Sequence, residues 1–262
     1  MSERAFIETF LRANSDYVTQ KYQEKQNVTV TSKDSPVNLL TEVDLTIQKR
    51  FIDATAEVWP HDLVVGEESG HDRYPADPNG RIWVIDPIDG TYNFVRGLNP
   101  SFAISIAFMQ DGLVQAAGVS MPLAGYYFFA EAGGGSFCNG RRLSVSRVQH
   151  LESACVEVDF SSVKNRRTIL RRGAKIIREA AQLRSHGSAV AAICQIATGD
   201  ADAYVHLGLH PWDYAAAQLI AEEAGALATR LDGQPLRVFD KKKGVLVTNG
   251  ALHEQLLASL TR

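Results

Sequence analysis

Residues 82–93, Ile-Trp-Val-Ile-Asp-Pro-Ile-Asp-Gly-Thr-Tyr-Asn, constrain what this chain can fold into more than any other stretch. Ile82 to Ile85 read as a short buried strand that delivers two carboxylates, Asp86 and Asp89, at its end. Pro87 removes a backbone donor and biases Asp86 toward extended geometry, so the strand is expected to stop there. Side chains three apart on an unbroken strand face opposite sides of a sheet, so the two acids converge only if the chain turns between them. Pro87 and Gly90 permit that turn. Two carboxylates ~5 Å apart at an effective dielectric of ~20 repel by roughly 3 kcal/mol, so a gathered cluster requires a shared proton or a cation. An all-oxygen cluster favours a hard ion such as magnesium or manganese. Gly90 lets backbone approach a ligand closely, and a helix opening near Thr91 would offer free amides and a dipole to an anion. The alternative is a turn with a helix cap, since Asp, Pro, Gly and Thr are all turn residues.

The 262 residues suffice for one large domain or two closely joined ones, and 45% hydrophobic with 22% charged residues is a globular profile. No apolar run approaches the ~20 residues that span a bilayer, and the first residues lack the apolar core of a signal peptide, so a cytoplasmic protein with no membrane partner is expected. Cys138, Cys155 and Cys194, odd in number and widely spaced, read as buried free thiols. A net charge of −3 argues against general nucleic-acid binding. One local exception runs from Lys164 to Arg184, with eight Lys or Arg against one acid, Glu179; it reads as a solvated helix face or as a contact surface for a partner.

In chain order, residues 3–25 carry a helical period, 27–31 alternate as a strand broken by Ser35-Pro36, and a second helix is expected from Thr41 to about Trp59. Thr41-x-x-Asp44 resembles a capping box, which gives Asp44 either a capping role or that of orienting a neighbour. Leu63 to Val65 reads as a strand ending in Gly66-Glu67-Glu68-Ser69-Gly70, from which either acid could reach the Asp86 region. A meander follows over 102–109, 113–119 and 126–131, and Gly133 to Gly135 reads as a turn. From about 150 the elements alternate: strand 154–160, a basic helix to about Arg178, helix 188–198 entered through Gly187, strand 202–207, helix 212–224 ended by Gly225, strand 244–248 and a last helix after Asn249. An N-terminal α+β domain over 1–148 and a C-terminal α/β domain over 149–262 are expected. In His210-Pro211-Trp212-Asp213, Pro211 suits a helix entry that leaves Asp213 in the first turn.

Taken in order, Gly66-Glu67-Glu68-Ser69, then Trp83-Val-Ile-Asp86-Pro-Ile-Asp89-Gly90-Thr91-x-Asn93-Phe94, then Trp212-Asp213-x-Ala-Ala and Glu223-Ala-Gly resemble the inositol monophosphatase family over nearly the whole chain. The resemblance implies a layered αβαβα sandwich, lithium-sensitive and magnesium-dependent phosphatase activity, and a homodimer. It further implies that Glu67 and Asp86, with the Ile88 carbonyl, hold one Mg2+, that Asp86, Asp89 and Asp213 hold a second, and that Glu67 helps with a loosely bound third, Mn2+ being a substitute. Thr91, oriented by Asp44, would assist Glu67 in activating water. The Gly90 and Thr91 amides would bind phosphate, while Asp89, Gly187, Ser188, Ala189 and the region of Asp213 would contact the alcohol of a small phosphorylated metabolite.

The chain departs from the family at His206, where Glu is typical, and more mildly at Tyr92, where Thr is common. The Thr91-x-Asn93-Phe94 form leans toward inositol 1-phosphate, the first expectation, whereas a neutral imidazole, with one donor and one acceptor where a carboxylate only accepts, leans away from it and keeps histidinol phosphate, fructose 1,6-bisphosphate and nucleotide 3'-phosphates as alternatives. A haloacid-dehalogenase-type phosphatase would place its two acids two apart, whereas here the spacing is three with Pro87 between. A reading of another class is a non-catalytic regulatory or RNA-associated protein that uses the basic stretch.

Overall fold

The computed structural model describes residues 1–33, 38–98, 100–160, 163–240 and 244–260. The expected break at Ser35-Pro36 lies outside the described residues. Helix α1 (Glu3–Gln23) starts from a Ser2 cap and leads to a small hairpin, β1 (Val30–Ser32) with β2 (Leu39–Thr41). Residues 27–31 therefore hold less strand than the alternation suggests, since Lys25–Asn27 forms a 3-10 turn first. Helix α2 (Glu42–Val58) opens on a capping box in which Thr41 and Asp44 satisfy each other's backbone amides.

A seven-stranded sheet follows: β3 (Leu63–Gly66), β4 (Arg81–Asp89), then, after helix α3 (Thr91–Arg96), β5 (Ala103–Gln110), β6 (Leu113–Met121), β7 (Tyr126–Glu131), β8 (Gly135–Cys138) and β9 (Arg141–Arg142) in sequential order. The meander is as expected, and β8 and β9 extend it beyond the expected turn. Glu223 accepts the Gly133 and Gly135 amides at 2.6 and 2.7 Å, which fixes that turn.

The second half supplies β10 (Cys155–Val158), α4 (Val163–Arg172), α5 (Ala174–Glu179), β11 (Gln182–Arg184), α6 (Ala189–Thr198), β12 (Ala203–His206), α7 (Ala215–Glu223), β13 (Leu227–Arg230), β14 (Val245–Thr248) and α8 (His253–Leu260). Its five strands order as β11-β10-β12-β14-β13, with the first three parallel and the rest antiparallel. The single basic helix expected to Arg178 is two helices, divided at Gly173. Strands β11 and β13 are short and only partly buried, so they lack an apolar run to announce them.

Strand alternation sorts the apolar side chains into three cores. Trp83 and Ile85 of β4 pack with Phe6, Phe10 and Phe51 of α1 and α2. Ile82 and Val84 face the other way, onto α6 and α7, which also cover Tyr204, Val245 and Val247 of the second sheet. Val156, Val205 and Leu246 point outward to α4, α5 and α8. The layers are thus αβαβα, with α6 and α7 sandwiched between the sheets. Cys138 and Cys194 are buried free thiols, while Cys155 is only half-buried.

Candidate active site

Strand β4 does not stop at Asp86; it continues through Pro87 to Asp89. Asp86 pairs with Ser105 and Asp89 with Ala103, so three steps along β4 match two along β5. That extra residue is a β-bulge, and it reverses the side-chain parity that would otherwise hold the two acids apart. Both carboxylates consequently meet the central layer. Pro87 is tolerated within the strand because the ladder is already interrupted there.

Asp213 arrives from a 3-10 turn, Pro211–Asp213, that precedes α7, so it lies just ahead of that helix rather than in its first turn. Its Oδ2 accepts the His210 amide at 2.7 Å, while the His210 ring stacks on Trp212 with centroids 4.7 Å apart and bonds the Tyr74 hydroxyl at 2.8 Å. One oxygen from each of Asp86, Asp89 and Asp213 lies within 4.8 Å of the others. Burial first, and then the charges of Glu67, Asp89 and Asp213, push the Asp86 carboxyl well above the usual range. Asp89 is raised to about 6 by burial, against the lowering effect of its bonds to Ser188 and Val190. Three gathered carboxylates, of which the buried Asp86 and Asp89 resist ionisation, form a site that fits a hard divalent cation, which neutralises the repulsion with oxygen donors alone.

Glu67 is not one of these three. Lys33 bridges Glu67 at 2.7 Å and Glu68 at 2.9 Å, so in this structure the Glu67 carboxylate meets a lysine. Its charge still acts on Asp86, Asp89 and Asp44. The loop that carries it is held by Gln48, which accepts the Glu68 amide at 3.0 Å and donates to the Glu68 carbonyl at 3.2 Å.

The Thr91 hydroxyl lies 3.2 Å from Asp44 Oδ1 and 2.9 Å from the Ile88 carbonyl, so the Ile88 oxygen already has a partner. Asp44 is fully buried, and desolvation raises its carboxyl to about 7, opposed by the Thr41 hydroxyl and assisted by Glu68 and Glu67. Gly90 caps α3 with φ of 91°, and a Cβ there would meet the Ser101 carbonyl at 2.9 Å, so the position requires glycine.

A pocket of about 150 Å³ adjoins the acids. Gly187, Ser188, Ala189 and His206 line it. Ser188 and Ala189, however, are also committed to Asp89: the Ser188 hydroxyl donates to it, and the Ala189 and Val190 amides approach at 3.4 and 2.8 Å. Glu157, Asp159, His186 and Tyr204 line the pocket as well, none of which sequence reasoning singled out. An available signal was the alternation Val156-Glu157-Val158-Asp159, which puts two acids on one face of an otherwise apolar strand. Lys33 and Gln48 carried no comparable signal, because their roles depend on distant loops.

The sequence profile of the inositol monophosphatase family matches residues 4–262. The chain is 33% identical over 220 residues to the fructose-1,6-bisphosphatase/inositol-1-monophosphatase of Thermotoga maritima, covering 84% of this chain and 81% of that one. It is 32% identical over 257 residues to human inositol monophosphatase 1, covering 95% and 90%. The crystal structure of the extragenic suppressor protein suhB from Bartonella henselae superimposes with a TM-score of 0.89 at 27% identity, covering 98% of both chains. With the acidic cluster, the layered fold and a match along almost its entire length, the chain belongs to the inositol monophosphatase family and is a phosphoric monoester hydrolase.

Proposed function

We propose that the protein is a magnesium-dependent phosphomonoesterase that cleaves the phosphate ester of a small polyol, with inositol 1-phosphate as the first substrate to test. The observation that carries this reading is the convergence of Asp86, Asp89 and Asp213 beside a pocket walled by polar groups. Asp86, Asp89 and Asp213 would hold the ion, with the Ile88 carbonyl and Glu67 as nearby oxygen donors. Bound magnesium supplies Lewis acidity toward the phosphoryl group and lowers the pKa of attacking water.

The remaining work falls to the chain. Gly90 and Thr91, at the opening of α3, would present amides to the phosphate. The Thr91 hydroxyl, fixed between Asp44 and the Ile88 carbonyl, would orient the nucleophilic water and pass its proton toward Asp44. No covalent enzyme intermediate is required, since no nucleophilic side chain is needed when water is positioned in line with the leaving oxygen. Manganese would substitute, and lithium inhibition and a homodimer follow from the family relationship as further parts of this proposal.

A phosphate-release screen with magnesium over inositol 1-phosphate, histidinol phosphate, fructose 1,6-bisphosphate and adenosine 3',5'-bisphosphate tests the reading. Turnover of inositol 1-phosphate that falls by about 10²-fold or more in Asp86→Asn supports it. Release from none of the four esters would refute it.

A further inference from the structure

The connection from β3 to β4 spans residues 67–80 without helix or strand, and it carries Glu67 and Glu68 at its start. Its first part folds back on β3: the His71 carbonyl accepts the Gly66 amide at 2.9 Å, and His71 Nδ1 lies 3.1 Å from the Val64 carbonyl. Farther along, Tyr74 crosses to the second half of the chain. Its ring meets Trp212 edge-on with centroids 6.1 Å apart and Phe239 at 5.8 Å. Its hydroxyl bonds His210 Nδ1 at 2.8 Å. Burial and then the charge of Asp213 push that hydroxyl up to about 12, so it keeps its hydrogen at neutral pH and donates to the imidazole.

His210 in turn is locked to Asp213. The two residues form a box in which each side chain accepts the other's backbone amide, the Asp213 Oδ2 contact being 2.7 Å. The imidazole lies flat on the buried Trp212, with the ring planes 3° apart. The 3-10 turn that carries Asp213 is three residues long, so little within it fixes the carboxylate. Its orientation comes from the His210 amide, and His210 is held by Trp212 on the face of its ring and by the Tyr74 hydroxyl at its edge. Outer partners of this kind set the direction of a metal-binding side chain and so the affinity of its site. Tyr74 and His210 are 136 residues apart, and no local pattern links them.

We propose that Tyr74 is a positioning residue for the cation site, holding Asp213 in place through His210. This rests on the reading of Asp86, Asp89 and Asp213 as that site. Tyr74 acts at one remove, by reducing the freedom that the Asp213 carboxylate would otherwise lose on binding an ion. The connection that begins with Glu67 therefore also braces the acid that arrives from the second half of the chain.

Binding of Mn2+ to the whole protein, followed by the electron paramagnetic resonance of the free ion, tests the assignment without reference to turnover. Tyr74→Phe keeps the aromatic contacts and removes the hydroxyl, and it is expected to weaken Mn2+ binding by about 3- to 10-fold. The melting temperature of the chelated protein should fall by less than about 5 °C. Phosphate release should need correspondingly more magnesium for its half-maximal rate, with kcat at saturation within about 3-fold of wild type. His210→Ala should weaken Mn2+ binding by about 10-fold or more, and His210→Asn, whose side-chain oxygen accepts the same bonds, should recover part of it. Adding Tyr74→Phe to His210→Ala should bring no further loss, because the hydroxyl then has no ring to hold. Unchanged Mn2+ affinity in Tyr74→Phe would reduce the residue to packing and overturn the assignment. So would additive losses in the double variant, which would have Tyr74 act on the site independently of His210. Were the wild-type protein to bind Mn2+ but release phosphate from no ester, the same drop in Mn2+ affinity would still support the positioning role while the phosphatase reading failed. Absence of Mn2+ binding to the wild-type protein would overturn the cation site and the positioning role together.

Discussion

Asp89 Oδ2 accepts the Val190 amide at 2.8 Å, which ties the bulged end of β4 to the first turn of α6 in the central layer. The carboxylate thus sits at the positive end of a helix dipole while belonging to an acidic cluster. Ser188 joins the contact, donating its hydroxyl to the same oxygen and accepting the Ala191 amide at 3.1 Å as the helix cap.

Ser188→Ala removes both interactions and leaves Asp89 one donor short. Loss of the cap and of a bond to a buried carboxylate should lower stability by about 1–3 kcal/mol. Asp89 should also become harder to ionise, so the magnesium concentration for half-maximal phosphate release should rise. Chemical denaturation and a magnesium titration check the two effects, and an unchanged magnesium dependence would show that the Val190 amide suffices.

Gly66 leaves no room for a side chain: a Cβ would lie 2.4 Å from Gln48 Oε1 and 3.1 Å from the Ile85 side chain. Gln48 can retreat only by releasing the backbone of Glu68. Gly66→Ala is therefore expected to cost about 2–4 kcal/mol, from strain and from unmet buried polar groups. Gln48→Ala should lose the clamp without the clash and cost less. Urea unfolding of both variants orders the two effects.

How far the sequence speaks for the fold varies with range. The strand Ile82 to Ile85 was legible because its apolar residues are continuous, and Asp44 in its capping box because caps are local. The path from Asp86 to Asp89 was not: Pro87 reads as an ending, and only pairing with β5 turns it into a bulge. Asp213 could be grouped with Asp86 and Asp89 from motif order, and the three oxygens do gather. Glu67 could not be resolved the same way, since its partner Lys33 lies 34 residues away across the hairpin. Asp159 and His206 are farther apart still, and their pairing, at 3.1 Å, depends on the parallel register of β10 and β12, for which a local sequence carries no marker.

Stability should depend on pH in a direction set by the buried acids. A carboxyl whose folded pKa exceeds its unfolded value binds protons more tightly when folded, so it favours the fold at low pH and loses that contribution as pH rises toward the folded pKa. Asp44, moved from 3.8 to about 7, corresponds to about 4 kcal/mol over that window, and Asp89, at about 6, adds in the same sense. With a chelator present, melting temperature should fall between pH 5 and pH 8 by roughly 10 °C. Magnesium should restore it at pH 8, by about 2.7 kcal/mol at a hundredfold excess over its Kd. At pH 5 the same addition should do little, because protons compete for the acids. Calorimetry at both pH values with and without magnesium checks the sign, and a rise in the chelated protein's melting temperature toward pH 8 would contradict it.

Thr91 joins the buried acid to the backbone of the bulge, its hydroxyl lying within reach of both Asp44 Oδ1 and the Ile88 carbonyl. Thr91→Val keeps the volume but removes the only hydrogen this side chain can donate, leaving two buried acceptors poorer by one partner. The expected stability loss is about 1–3 kcal/mol. Activity should suffer more, by about 10²-fold in kcat, if the hydroxyl orients water for attack. Thr91→Ser retains the hydroxyl and loses only a methyl group from a nearly buried site, so its kcat should stay within about 10-fold of wild type. Single-turnover phosphate release separates chemistry from product release in the three proteins. Similar rates for Thr91→Val and Thr91→Ser would assign Thr91 to the scaffold alone, since the two variants differ chiefly in the hydroxyl.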